Sequence, residues 1–190
     1  MASYVYVDNS NVWIEGMHIA AVKAGLASTL QEAQSKNICD YSWSYDFGKL
    51  LSFAGGDSAN IKRAKLFGSK PPLNDSLWRA AESHGFEVIT EDRNYYTNKE
   101  KKIDSGICTA IMEDSYEMMK PGEDEVILVA GDRDYVPTIE SLKRRGIAFS
   151  ICFWDHAARE VKDASDNFYS LNKYHDYLNI CDSTPVEFGV

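Results

Sequence analysis

Short apolar runs, spaced by longer amphipathic stretches, constrain this chain more than any other feature. Residues 3–7 (Ser-Tyr-Val-Tyr-Val), 86–89, 125–130 and 147–154 are rich in β-branched and aromatic residues, 61–67 alternates, and each has the length of a strand rather than a helix. Helical patterns fill the gaps over 12–24, 74–83, 104–119 and 135–145, with shorter ones over 45–53 and 157–164. A helical turn is expected near 31–34, a short strand or turn near 168–171, and a short helix after it. Gly55-Gly56, Pro71-Pro72, Pro121-Gly122 and Gly146 punctuate the series. Strands that alternate with helices predict a three-layer α/β domain, Rossmann-like, with a mainly parallel central sheet. A length of 190 residues fits one domain over 1–190, and no repeat, linker or low-complexity stretch divides it.

The apolar share of 44% and the charged share of 26% are near globular norms, which excludes a disordered or fibrous chain. No run approaches the roughly 18 apolar residues that a membrane span needs. The N-terminus runs straight into a strand pattern without a basic leader, so the expected location is the cytoplasm, with no membrane partner. Cys39, Cys108, Cys152 and Cys181 are scattered without C-x-x-C spacing, which argues against a zinc site. Cys108 and Cys152 sit in apolar runs and read as small core residues.

Acids at strand ends carry the chemistry. Asp8 directly follows the first strand, and Asp132 and Asp134 follow the strand that ends at Ala130. Ligands of open parallel sheets bind outside the carboxyl ends of the strands, so these acids are expected to converge there. Carboxylates with waters and phosphate oxygens suit a hard divalent cation, Mg²⁺ or Mn²⁺. The alternative for Asp8 is a plain helix cap, with Asn9, Ser10 and Asn11 as rivals. Asp104 opens a helix and is open to the same alternative, whereas Glu113 and Asp114 read as solvated or salt-bridged helix residues.

A net charge of −9 opposes a nucleic-acid partner, because phosphate binding wants a positive field. The cations are clumped, however: Lys62, Arg63 and Lys65; Lys99, Lys101 and Lys102; Lys143, Arg144 and Arg145. The segment Arg93-Asn94-Tyr95-Tyr96-Thr97-Asn98-Lys99 mixes rings with positive charge just before Asp104, which suits a single strand that offers bases and phosphates. Arg133 and His156, each just past a strand, are further candidates for phosphate contact. The alternative is an ordinary loop and a plain surface histidine. Trp13 and Trp154 read as core or rim packing.

Three motifs in order resemble the NYN branch of the PIN-like nucleases. They are Val7-Asp8-Asn9-Ser10-Asn11, Lys102-Ile103-Asp104 and Leu128-Val129-Ala130-Gly131-Asp132-Arg133-Asp134-Tyr135. The resemblance spans roughly residues 3–155. It implies a PIN-like fold and metal-dependent cleavage of RNA, with Asp8, Asp104, Asp132 and Asp134 as metal-binding or water-activating acids. Asn11 would orient a ligand or a neighbouring acid. The family pattern also implies an acid about six residues after Asp104, where this chain has Ala110. The site would then lack one carboxylate, Ala110 would sit beside the acids with room to spare, and Ala110→Asp would raise the rate. The competing reading is an inactive PIN-like module that binds RNA or protein. The absence of a glycine-rich phosphate loop opposes a nucleotide-sugar transferase, and Asp-x-Asp after a late strand does not suit a receiver domain. Self-association is left open by the sequence.

Overall fold

The computed structural model describes residues 1–69, 76–91 and 101–180. Six strands form one sheet: β1 (Ala2–Asp8), β2 (Ile61–Ser69), β3 (Glu87–Glu91), β4 (Asp124–Val129), β5 (Ala148–Phe153) and β6 (Asn167–Ser170). The helices are α1 (Asn9–Lys23), α2 (Leu30–Lys36), α3 (Phe47–Gly55), α4 (Ser76–Ser83), α5 (Lys101–Glu117), α6 (Val136–Arg144), α7 (Arg159–Ala164) and α8 (His175–Leu178). The strand order is β3-β2-β1-β4-β5-β6, and every pairing is parallel. The expected mainly parallel sheet is thus wholly parallel across the described strands.

Both faces of β1 are covered. An added Cβ at Gly55 of α3 would meet Val5 at 3.2 Å, whereas the Tyr6 hydroxyl donates to Asp114 of α5 at 2.6 Å. Adjacent strand residues point to opposite faces, so α3 and α5 lie on opposite sides of the sheet. That is why Val5, Tyr6, Val7, Leu128, Val129 and Ile151 are all buried and why these strands read as continuous apolar runs.

The order reverses between β1 and β4. From β1 the chain builds outward through β2 and β3, and from β4 it builds the other way through β5 and β6. Such a reversal opens a crevice at the strands' carboxyl ends, the usual ligand position in this architecture. Gly16 lets α1 approach at this end, because a Cβ there would stand 2.1 Å from Trp43 Cζ3.

Several sequence expectations shift by a turn. The helix expected from Asp104 begins at Lys101, so Asp104 lies in its first turn rather than at its cap. The helix expected from Tyr45 begins at Phe47, and Tyr45 instead makes an antiparallel bridge with Asn179. A 3-10 turn (Arg133–Tyr135) precedes α6. Cys152 is fully buried and Cys108 packs against the core, as expected; Cys181 lies outside the described residues. Among the described residues, no helix is long and apolar enough to cross a membrane.

Candidate active site

Asp8 ends β1 and caps α1, its Oδ1 accepting from the Asn11 backbone N–H at 3.1 Å. Asp8 takes that cap ahead of its three rivals, and it is buried. Asp132 sits at the equivalent place after β4 but makes no capping bond to its own turn. Its Oδ2 instead accepts from Asn11 Nδ2 at 2.8 Å. Asn11 therefore ties the first turn of α1 to the turn after β4.

Asp104 enters from α5. The Tyr135 hydroxyl donates to its Oδ1 at 3.0 Å. Burial pushes the Tyr135 phenol far above its usual range, and the charges of Asp8 and Asp104 push the same way, so it stays protonated and donates. Tyr45 behaves alike: burial and then Asp8 raise its phenol, which donates to Asn9 Oδ1 at 2.6 Å. These two buried phenols fix the acids' surroundings without adding charge.

Asp8, Asp104 and Asp132 line one pocket of about 240 Å³, together with Ser10, Asn11, Ile14, Glu15 and Ile103. Asp134 does not belong to its wall; it is exposed two residues past Asp132. Burial pushes the Cys108 thiol up against a lowering hydrogen bond from Thr138, and the charges of Asp104 and Asp134 add to the rise. Among the described residues, no three His, Cys, Asp or Glu side chains are grouped closely enough to hold a metal ion directly.

Glu15 is the wall residue that sequence reasoning missed. It stands seven residues after Asp8 and four after Asn11, spacing that brings helix positions to one face. His156 Nε2 lies 2.7 Å from Glu15 Oε2, and His18 Nδ1 lies 3.6 Å from the same oxygen. Burial tends to raise the Glu15 carboxyl, but the adjoining His156 ring and a bond from Gln34 outweigh it and hold it below its usual range. His156 therefore sits behind a pocket acid rather than free on the surface.

Ala110 does not border this pocket. It is buried in the wall of a neighbouring cleft of about 570 Å³ between β2 and α5, which shares only Ile103 with the acidic pocket. In that cleft Asp114 is buried and accepts from Tyr6, from Arg63 at 2.8 Å and from Lys65 at 2.9 Å. Asp114 is thus the salt-bridged kind of helix acid.

The basic clumps are largely engaged. Lys62 pairs with Asp124 at 2.7 Å, Arg63 also with Glu87, Lys143 with Asp166, and Arg145 binds Ser115 and stacks on Tyr116. Arg133 is exposed beside Asp132. Arg93, Tyr95, Tyr96 and Lys99 lie outside the described residues; Lys101 and Lys102 are described as backbone of α5 alone. Trp154 is fully buried and Trp13 is partly so, in keeping with packing roles.

An open parallel sheet that reverses between β1 and β4, with acids at the reversal, defines a PIN-like α/β protein. The chain belongs to the NYN domain family, whose model matches residues 4–172. A crystal structure of a protein of unknown function from Vibrio parahaemolyticus is similar, with a TM-score of 0.67 and 19% identity, covering 94% of this chain and 96% of that one. At that identity the likeness concerns the fold alone. No curated protein matches.

Proposed function

We propose that this chain is a metal-dependent endoribonuclease that cuts single-stranded RNA with Mg²⁺ or Mn²⁺. The observation that carries the reading is the convergence of Asp8, Asp104 and Asp132 on one pocket at the crevice between β1 and β4. An acidic pocket repels a phosphodiester unless a cation stands between them.

The donor set fits such a cation. Mg²⁺ keeps several waters and is commonly held by only one or two carboxylates plus substrate phosphate, so three directly grouped ligands are not required. Among the described residues Asn11 Oδ1 is buried with no hydrogen-bond partner, a hard oxygen among the acids that a cation or its water would satisfy. When bound, the ion supplies charge neutralisation at phosphate and a more acidic water. We assign Asp8 and Asp104 to holding it, since one is fixed by a helix cap and the other by Tyr135. Asp132, exposed and steered by Asn11, would accept a proton from the attacking water. Asp134, on the rim, would act on substrate or on a second ion rather than in the pocket wall.

The test is cleavage of an end-labelled single-stranded RNA with Mg²⁺, with Mn²⁺ and with EDTA, by the chain and by Asp132→Asn. Metal-dependent cutting that falls at least a hundredfold in Asp132→Asn is the expected result. A second reading, an inactive RNA-binding module, is favoured by Ala110, which stands where the family pattern implies an acid. Binding of RNA without cutting under any metal would establish it.

A further inference from the structure

A second cleft shares a wall with the acidic pocket. It has a volume of about 300 Å³ and is lined by Trp13, Tyr41, Trp78 and Met17 with the polar groups of Asn9 and Ser10. Ser10 and Ile14 belong to both cavities, so the first turns of α1 form a ridge with acids on one side and rings on the other. That ridge spans about 6 Å, one helical turn. The size lies at the low end of ligand pockets, roughly 300–1,000 Å³, and suits one small planar group rather than a folded partner.

Two further observations point to an occupant. Among the described residues, Trp13 Nε1 and Trp78 Nε1 are both buried with no acceptor, although indole N–H groups in native cores are usually paired. Tyr41 is 78% exposed at the cleft's edge, and Ile14 is 36% exposed on the ridge, an unusual investment of large apolar side chains beside a charged pocket. A flat group with an apolar ring face and a polar edge fits a cleft of rings that has Asn9 and Ser10 in its wall. A nucleobase has both, and any base can stack on an aromatic face.

We propose that this cleft is a base-binding subsite, which receives the unstacked nucleobase of the nucleotide next to the phosphate held at the acidic pocket. The inference rests on the nuclease reading for its neighbour, and it assigns recognition to Trp13, Tyr41 and Trp78. Bases flank every phosphate of a single strand but are stacked away in a duplex, so the subsite would select single strands by shape rather than by sequence.

The probe is a 2′-O-methyl octa-adenylate, which has no 2′-hydroxyl, with Trp fluorescence and a labelled-oligonucleotide titration as readouts. Binding is expected to quench the indole emission. Tyr41→Ala is expected to weaken binding about tenfold, the scale of one lost base stack, while Tyr41→Phe keeps it. Trp13→Leu, with its fold checked by circular dichroism, should weaken binding similarly. If Tyr41→Ala and folded Trp13→Leu both bind within twofold of the parent, the subsite is refuted, and the nuclease reading still stands provided that Asp132-dependent cutting is seen. Aromatic-dependent binding without any cutting would keep the subsite and overturn the nuclease. If the parent neither binds nor cuts, both fall.

Discussion

Asn11 Nδ2 donates to Asp132 Oδ2 at 2.8 Å across 121 residues of sequence. The bond joins the two halves of the sheet at their reversal, because Asn11 follows β1 and Asp132 follows β4. An amide can do this where a carboxylate cannot: it donates to one acid by its nitrogen and keeps an oxygen for the pocket. We therefore expect Asn11→Ala to lower metal-dependent cleavage by about tenfold to a hundredfold, the scale seen when an orienting partner of a metal site is removed. Stability should change little, because the bond is exposed. Asn11→Asp should do worse than Asn11→Ala in activity, since it sets a third charge against Asp8 and Asp132. Parallel rate and thermal-melt measurements on both variants decide this, and equal rates for the two would remove the charge argument.

Gly131 holds the turn that carries Asp132. A Cβ at that position would stand 2.2 Å from Phe153 Cδ1, and Phe153 is almost wholly buried, so its ring has no room to retreat. Gly131→Ala is expected to destabilise the chain by about 1–3 kcal/mol, as overpacking of a core does. The melting temperature should fall by roughly 2–12 °C for a domain of this size. Cleavage should drop as well, because Asp132 is the next residue. An unchanged melt would mean that Phe153 is more mobile than its burial implies.

The strands and the two strand-end acids were legible in the sequence for one shared reason. A strand buried on both faces must be apolar throughout, so Val126 to Val129 stood out, and the first acid after such a run falls at the sheet's carboxyl end. Other features depended on partners far away in the chain. Arg63 and Lys65 looked like part of a basic face, yet residues two apart on a strand share one side, and both reach Asp114. Glu15 carried no signal as a lone helix acid. Its spacing from Asp8 and Asn11 was the available clue. The strand order, and with it the crevice, could not be read from local pattern.

Acid should weaken the fold through Asp124 and Asp166. Burial raises each carboxyl, but for Asp124 the Lys62 ammonium and the Lys120 backbone N–H outweigh it, and for Asp166 the Phe149 N–H and Lys143 do the same. Both therefore lie below the usual value of 3.8 in the folded chain. A lowered folded pKa gives stability that is fully present above the unfolded value and is lost as pH falls through the folded one. The urea midpoint should hold near pH 6 and decline below about pH 4. Asp124→Asn should cost about 1–3 kcal/mol at pH 6, the scale of a compromised buried hydrogen-bonding group, and should show a shallower acid decline. A parallel decline in the variant would mean that other carboxylates govern it.

Ala110 stands where the family pattern implies an acid, yet an acid there would not serve the site. Its methyl group is buried and borders the cleft of Lys65, Glu113 and Asp114, not the pocket of Asp8, Asp104 and Asp132. In an ideal helix a residue six places after Asp104 sits 240° around and about 9 Å along, which takes it off the face that Asp104 uses. An aspartate at 110 would gain no place in the acidic pocket. It would instead bring a carboxylate toward Asp114, whose bonds to Tyr6, Arg63 and Lys65 leave little capacity to balance another charge. We expect Ala110→Asp to leave cleavage unraised and to lower stability by about 1–3 kcal/mol, through a buried polar group without a partner of its own. Ala110→Ser, smaller and neutral, should cost less. Single-turnover cleavage and urea unfolding of the three chains give the answer: a rate gain of tenfold or more in Ala110→Asp would show that α5 can turn this position into the acidic pocket.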